Sequence, residues 1–411
     1  MLPGLIHLYK DAYRGLPRSI WLQALVLLIN RSGTMVIPFL TIYLTQHLHY
    51  SLAEAGMVMA FFGLGAIAGA YLGGRFSDRI GFYPVQFWAL FLSGVGFIVL
   101  GQMQGIVHIS ICVFLMSVIG EAFRPANASA IVFYSTEENR TRSYSLNRLA
   151  VNLGWAIGPA IGGLLAGFSY ELLFWVDGCT CIVAALFLRW VLKPPAKLAA
   201  LEQKPVHQQE TEAYDSAYRD KTYLWFTFLV LIQAVCFFQL FSIIPVFYKE
   251  VIGLSEFQIG LILASNGLVI ALVEMVLVHR LNGKRSDLTY IVYGMLLFAI
   301  SFAALSVSAF PVITVTIAVI ALTLGEMLAM PFMNNYWIKR SSAHNRGQYA
   351  ALHTIAFSMA HVLAPSLGAK AVQGFGYTVW WCLTAAICLA AAFGFRQMQK
   401  GGSPFLNKNA R

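Results

Sequence analysis

Long apolar runs follow one another from Ile20 to Phe395, separated mostly by short polar breaks. Crossing roughly 30 Å of hydrocarbon takes about 20 residues of helix, and each run is long enough to do so. Backbone N–H and C=O groups in lipid need partners within their own segment, so the runs predict helices. The pattern places twelve spans, near residues 19–46, 53–74, 82–104, 107–134, 141–168, 172–192, 222–249, 256–278, 287–308, 311–338, 346–372 and 376–398. One long polar stretch, Lys193 to Lys221, opens on two prolines and is dense in charge, which reads as a linker. The expected organisation is a segment 1–18, a six-helix bundle 19–192, the linker 193–221, a second six-helix bundle 222–399 and a tail 400–411.

The linker lies at the midpoint, and the flanking halves repeat. Ser145-Leu146 through Pro159-Ala160-Ile161-Gly162 aligns, 206 residues later, with Ala351-Leu352 through Pro365-Ser366-Leu367-Gly368. Asn139-Arg140 falls on Asn345-Arg346, Gly120-Glu121 is echoed by Gly325-Glu326, and Gly56 and Gly63 recur as Gly260 and Gly267. Six helices plus six from one duplicated unit are the trace of a transporter whose two bundles, related by pseudo-two-fold symmetry, rock about a central site.

Composition agrees with a chain dissolved in lipid: 58% apolar residues, 11% charged and a mean hydropathy of +0.68, more apolar surface than a soluble core of this length hides. The net charge of +10 reports orientation. With the amino terminus inside, 23 of the 28 Lys and Arg fall in cytoplasmic segments, so both termini are expected in the cytoplasm, and no nucleic-acid binding is implied. The expected location is the cell inner (cytoplasmic) membrane. The first 18 residues lack a long apolar core and a cleavage site, so no cleaved signal is expected. All six cysteines sit in apolar runs without metal-ligand spacing and read as small core residues.

Between spans 2 and 3 stands Gly73-Gly74-Arg75-Phe76-Ser77-Asp78-Arg79-Ile80-Gly81. Its glycines allow a tight turn and close helix approach, and Asp78 can accept hydrogen bonds or pair with Arg75 or Arg79. This resembles the G-x-x-x-D-R-x-G loop of the major facilitator superfamily, and the twelve-span plan is similar to that family's. The resemblance implies an all-α membrane protein with the major facilitator fold and a cytoplasmic gate at Gly74, Arg75, Asp78, Arg79 and Gly81. Phe82 and Pro84 stand where the family usually has basic residues, which implies a weaker latch. The second half has Arg280 where the aspartate would be.

Span 5 contains Gly154-Trp155-Ala156-Ile157-Gly158-Pro159-Ala160-Ile161-Gly162-Gly163. Such a run packs another helix closely and bends at proline. It resembles, through Gly154, Gly158, Pro159, Gly162 and Gly163, the G-x-x-x-G-P-x-x-G-G motif of the twelve-helix drug:proton antiporter family, and that implies export. In span 4, Met116 stands where many of those antiporters carry an arginine.

Ionisable side chains inside a bilayer cost several kcal/mol and point to function. Arg31 lies in span 1, Glu121 and Arg124 in span 4, Arg148 in span 5, Asp177 in span 6, Glu274 in span 8, Glu326 in span 10, and His353 and His361 in span 11. A carboxyl in low dielectric can load and release a proton near neutral pH. Glu121 and Glu326, at similar places in the two halves, are therefore the first proton-coupling candidates, followed by His353 and His361, about 80° apart around span 11. Arg31 keeps its charge and suits a carboxylate or an anionic substrate group. Arg124, one helical turn from Glu121, is either its structural partner or a substrate contact. Asp177 reads as an outer-surface group and Glu274 as half of an interfacial pair. Asn30, Gln233, Asn266, Asn334 and Tyr336 join Arg31 and Arg124 as substrate-cavity candidates.

These readings predict a secondary active transporter working by alternating access. Its first form is a proton-coupled antiporter exporting drug-like or amphipathic small molecules. The alternative is a proton-coupled symporter importing a polar nutrient such as a short peptide, since a zwitterion would suit Arg31 and the span-4 pair. No nucleotide-binding glycine loop, metal spacing or catalytic domain is apparent. An enzyme is not expected, nor is a cofactor or metal. Expected partners are a small-molecule substrate, protons and the lipid bilayer, with the chain a monomer.

Overall fold

The computed structural model describes residues 15–136, 138–192, 216–281, 283–307, 310–341 and 345–400. Most of the 193–221 linker, most of the 1–18 segment and nearly all of the 400–411 tail lie outside the described residues. Eleven helical runs among the described residues are long and apolar enough to cross a membrane. The last, Arg346–Lys400, has 55 residues, about 80 Å of helix at 1.5 Å per residue, far more than one crossing. It breaks at Gly376, whose φ of +79° is not helical and suits a residue without a Cβ. Spans 11 and 12 are the two sides of that break, giving a twelve-span, all-α membrane protein.

Three spans that the apolar pattern presents as continuous are interrupted. Span 1 runs as Arg18–Ser32, turns through Gly33 to Met35, and resumes as Val36–Ile42 with a wide final turn at Tyr43–His47. Span 4 is Ile106–Glu121 and Phe123–Tyr134, meeting at Ala122. Span 7 is Lys221–Phe237, a tight turn at Phe238–Phe241, and Ile243–Glu250. Proline has no N–H to give and its ring presses on the carbonyl four residues back. Pro38, Pro125 and Pro245 direct that pressure at Thr34, Glu121 and Phe241, each at its interruption. Pro159, Pro331 and Pro365 are absorbed by helices that continue through them. The breaks in spans 1 and 7 fall at matching places in the repeat.

The helices gather into two compact units. The first holds the described parts of Met1–Phe39, Leu64–Pro205 and Ser255–Ala271; the second holds those of Leu40–Gly63, Val206–Leu254 and Leu272–Arg411. In the first, Val26, Leu27, Ala126, Ala184 and Leu188 are core residues of spans 1, 4 and 6. Span 2 (Leu52–Ile80) lays Gly65, Gly69 and Gly73 against span 4; a Cβ at Gly65 or Gly73 would stand 2.5 Å from the backbone of Phe114 or Ala122. The second unit is centred on larger rings, including Phe226, Phe298, Phe302, Phe332, Trp381 and Phe395, all fully buried. There spans 9 (Asp287–Leu305) and 10 (Pro311–Arg340) approach closely where Gly294 meets Gly325.

Candidate transport site

The break in span 1 exposes backbone donors that a continuous helix would have used. Asp177, on span 6 (Tyr170–Val191), supplies the acceptor: its Oδ2 receives the N–H of Met35 at 3.1 Å and of Val36 at 3.0 Å. Among the described residues Oδ1 has only the Cys181 thiol at 3.8 Å, and Asn30 Nδ2 donates to that same sulfur at 3.4 Å. Asp177 is 1% exposed, which corrects the outer-surface reading: counted along the span it lies near an end, but its partners are interior backbone 142 positions away. Glu274 is likewise buried.

Arg31 completes this neighbourhood. Its guanidinium interacts electrostatically with Glu121, Arg124 and Asp177, and its Nε is buried without a hydrogen-bond partner among the described residues. Glu121 pairs with Arg124 at 3.0 Å; the arginine side chain is 63% exposed and the glutamate 16%. Deeper in the same unit, Asn127 accepts from Gln23 at 2.8 Å and donates to Asn147 at 3.2 Å, joining spans 1, 4 and 5. That amide network was missed in the sequence because each member is an uncharged residue on a different span.

Span 5 (Arg140–Ala166) uses its glycine–proline run on two sides. Gly154, Gly158 and Gly162 face span 1: an added Cβ at Gly154 would overlap Arg31, one at Gly158 would sit 2.7 Å from the Thr34 carbonyl, and one at Gly162 3.1 Å from Met35. Pro159 and Gly163 face Gly260 of span 8 (Glu256–Leu281), and Gly267 meets Trp155 and Ala156 at about 3 Å. In the second unit Gly56 meets Pro365 and Ala369, and Gly63 meets His361 and Val362. Every contact of one set maps on the other through the sequence repeat. The recurring glycines of spans 2 and 8 thus dock on the recurring prolines of spans 11 and 5.

The remaining candidates of the second unit lie along spans 7, 10 and 11. Gln233 is fully buried, and neither amide atom has a partner among the described residues. His353 has a buried, unpartnered Nε2 and lies 5.0 Å from the Phe357 ring. The His361 ring lies against Phe238, tilted by 34° with centroids 3.6 Å apart, and Phe62 is at 6.4 Å. His353, Phe357 and His361 therefore form one aromatic face of span 11. Tyr336 stacks on Phe226 at 4.3 Å, Asn334 is exposed and accepts from Trp337, and Glu326 is half-buried. Asn266 is buried in the first unit.

At the loop between spans 2 and 3, Gly81 has φ +88° and opens the next helix. Arg75 donates to the Tyr71 hydroxyl at 3.0 Å, Arg79 is exposed, and Gly74 has open space beside it. The Asp78 side chain lies outside what is described. A second polar clamp, at the start of span 7, was not anticipated: Arg340 donates twice to Asp220, at 2.6 and 2.9 Å, and Tyr349 donates at 2.8 Å. Burial pushes the Asp220 carboxyl up, but these bonds and the Tyr223 N–H outweigh it and hold it below the usual carboxylate range.

Interrupted helices, a duplicated twelve-span plan and charges at a helix break define a polytopic membrane transporter. The Major Facilitator Superfamily pattern matches residues 20–365, and the chain belongs to that family. It is 26% identical over 381 residues to a Na(+), Li(+), K(+)/H(+) antiporter of Planococcus maritimus, covering 85% of this chain and 88% of that protein. Multidrug resistance protein 2 of Bacillus subtilis (strain 168) is 21% identical, with 81% and 83% covered. Among solved structures, a POT family transporter in complex with a thioalcohol conjugated peptide superposes with a TM-score of 0.80 at 15% identity, covering 97% of this chain and 99% of that one. The last likeness is one of fold.

Proposed function

We propose that this secondary active transporter is a proton-coupled antiporter that exports drug-like or amphipathic small molecules across the inner membrane, with both termini in the cytoplasm. The observation that carries the reading is the two-sided packing face of span 5. It fits the broken span 1 on one side and span 8 on the other, in the motif that resembles the antiporters. The names borne by the two sequence relatives support exchange and efflux. Proton coupling is assigned to Glu121 and Glu326, with His353 and His361 as further candidates, and Asp177 joins them on its burial at the helix break. Arg31 acts as the fixed countercharge between Glu121 and Asp177. The two bundles, 19–192 and 222–399, alternate access, with the Gly74–Gly81 loop as the cytoplasmic latch.

A second reading is proton-coupled import of a polar nutrient such as a short peptide. The Arg31, Glu121 and Arg124 charges suit a zwitterion, and the fold likeness to peptide-transporter structures speaks for this reading more than for the first. Transport by the purified chain in proteoliposomes of known sidedness separates them: with acid outside, antiport expels the solute and symport accumulates it. A ligand-induced thermal-shift screen across drugs, peptides and sugars supplies the solute to follow.

A further inference from the structure

A cavity of about 610 Å3 opens where span 9 begins and span 12 ends, within the second unit. Its polar wall is Arg285, Ser286, Thr289, Arg396 and Gln399, and its apolar wall is Val292, Tyr293 and Leu296. Gln399 donates to Thr289 at 2.8 Å and ties the two spans together at this level. Arg285 donates to the Tyr293 hydroxyl at 2.6 Å with its guanidinium 5.8 Å from the ring centroid, so it is held at the wall with donors to spare, a guanidinium carrying five. The nearby carboxylate, Asp287, is engaged by Asn335 and Lys339. Among the described residues no carboxylate pairs with Arg285 or Arg396.

Exposed apolar stripes run away from this basic end. On span 9 they are Tyr293, Leu296 and Ile300, and on span 12 Leu389 and Phe393, one turn before Arg396. Two cations with hydroxyl and amide donors at one end, and apolar tracks along the membrane from there, match a phosphate headgroup carrying acyl chains. Free phosphate shares the headgroup chemistry but has no use for the stripes.

We propose that this cavity binds the headgroup of an anionic phospholipid whose chains lie along spans 9 and 12. The site is independent of the direction of transport. The test titrates the detergent-solubilised full chain with phosphatidylglycerol, phosphatidylcholine, inorganic phosphate and glycerophosphoglycerol, reading melting temperature and retained lipid by native mass spectrometry. Phosphatidylglycerol should stabilise the wild-type chain and be retained, with the other three weak. Arg285→Gln together with Arg396→Gln should weaken phosphatidylglycerol binding about thirtyfold. Leu296→Asn, which keeps both arginines, should weaken it less and leave the headgroup preference intact. Equal binding of phosphatidylglycerol by wild type and the double variant overturns the proposal. So does equal stabilisation by inorganic phosphate alone, which would make the cavity a soluble-anion site.

Discussion

The two oxygens of Asp177 are used differently. Oδ2 holds two backbone donors at the span-1 break, while among the described residues Oδ1 has only a thiol contact. Asparagine can keep the first function and lose the charge. Asp177→Asn is therefore expected to fold and to exchange solute, but to lose pH-gradient-driven transport under the proposed coupling; gradient-driven flux and solute counterflow measured side by side check this. Asp177→Ala leaves two buried N–H groups unanswered, at roughly 1–3 kcal/mol each, and should melt markedly lower in detergent. Glu121→Gln and Glu326→Gln are expected to abolish gradient-driven transport while leaving the melting temperature near wild type, and undiminished coupling in both would remove them from the mechanism. The sequence exposed the charged residues in the spans, because each is conspicuous in an apolar run. It did not expose Asp177's environment, since that depends on backbone donors freed by a break far along the chain.

At the level of helices, much was legible and some signals went unread. The apolar runs marked the spans, and the recurrence of Gly56 and Gly63 as Gly260 and Gly267 was visible in the sequence. That those glycines dock on Pro365 and Pro159 was not, because a repeat shows which positions are equivalent and not which ones touch. The breaks in spans 1, 4 and 7 carried a local signal, a proline four residues beyond each; six interior prolines with only three breaks show why that signal alone is insufficient. Gly260→Leu would drive a side chain into the Pro159–Gly163 backbone, with overpacking of about 1–3 kcal/mol or more, so a lower melting temperature and little transport are expected. Gly74→Ala is the contrast: with nothing within 4 Å of an added Cβ and a helical position, stability should be unchanged or slightly raised.

The Asp220 clamp has a definite pH dependence. Its folded-state carboxyl lies below the ordinary value of 3.8, so its contribution is present above that value and is lost as pH falls through the lower folded value. Acidification below about pH 4 should therefore loosen the start of span 7 in wild type. Asp220→Asn should reduce stability at neutral pH and flatten that acid dependence, followed by melting temperature against pH.

For the whole molecule, the duplicated sequence and the basic residues make the strongest statement. Each half carries a proline-broken first helix, and the recurring glycines of each half dock on the proline-bearing helix of the other, a symmetric construction of the kind found in transporters built from repeats. Under the proposed orientation, which follows the distribution of positive charge, cysteines introduced singly at positions 4 and 408 should be labelled by impermeant maleimide only after cells are opened. Substrate identity was not legible, because it resides in the shape of a cavity assembled from many spans. The most direct test of the account is the direction of flux in right-side-out proteoliposomes preloaded with a hit from the thermal-shift screen, with a pH gradient imposed acid outside. Antiport predicts that the gradient drives the solute out and that protons enter with it; solute accumulation, or flux indifferent to the gradient, would contradict it.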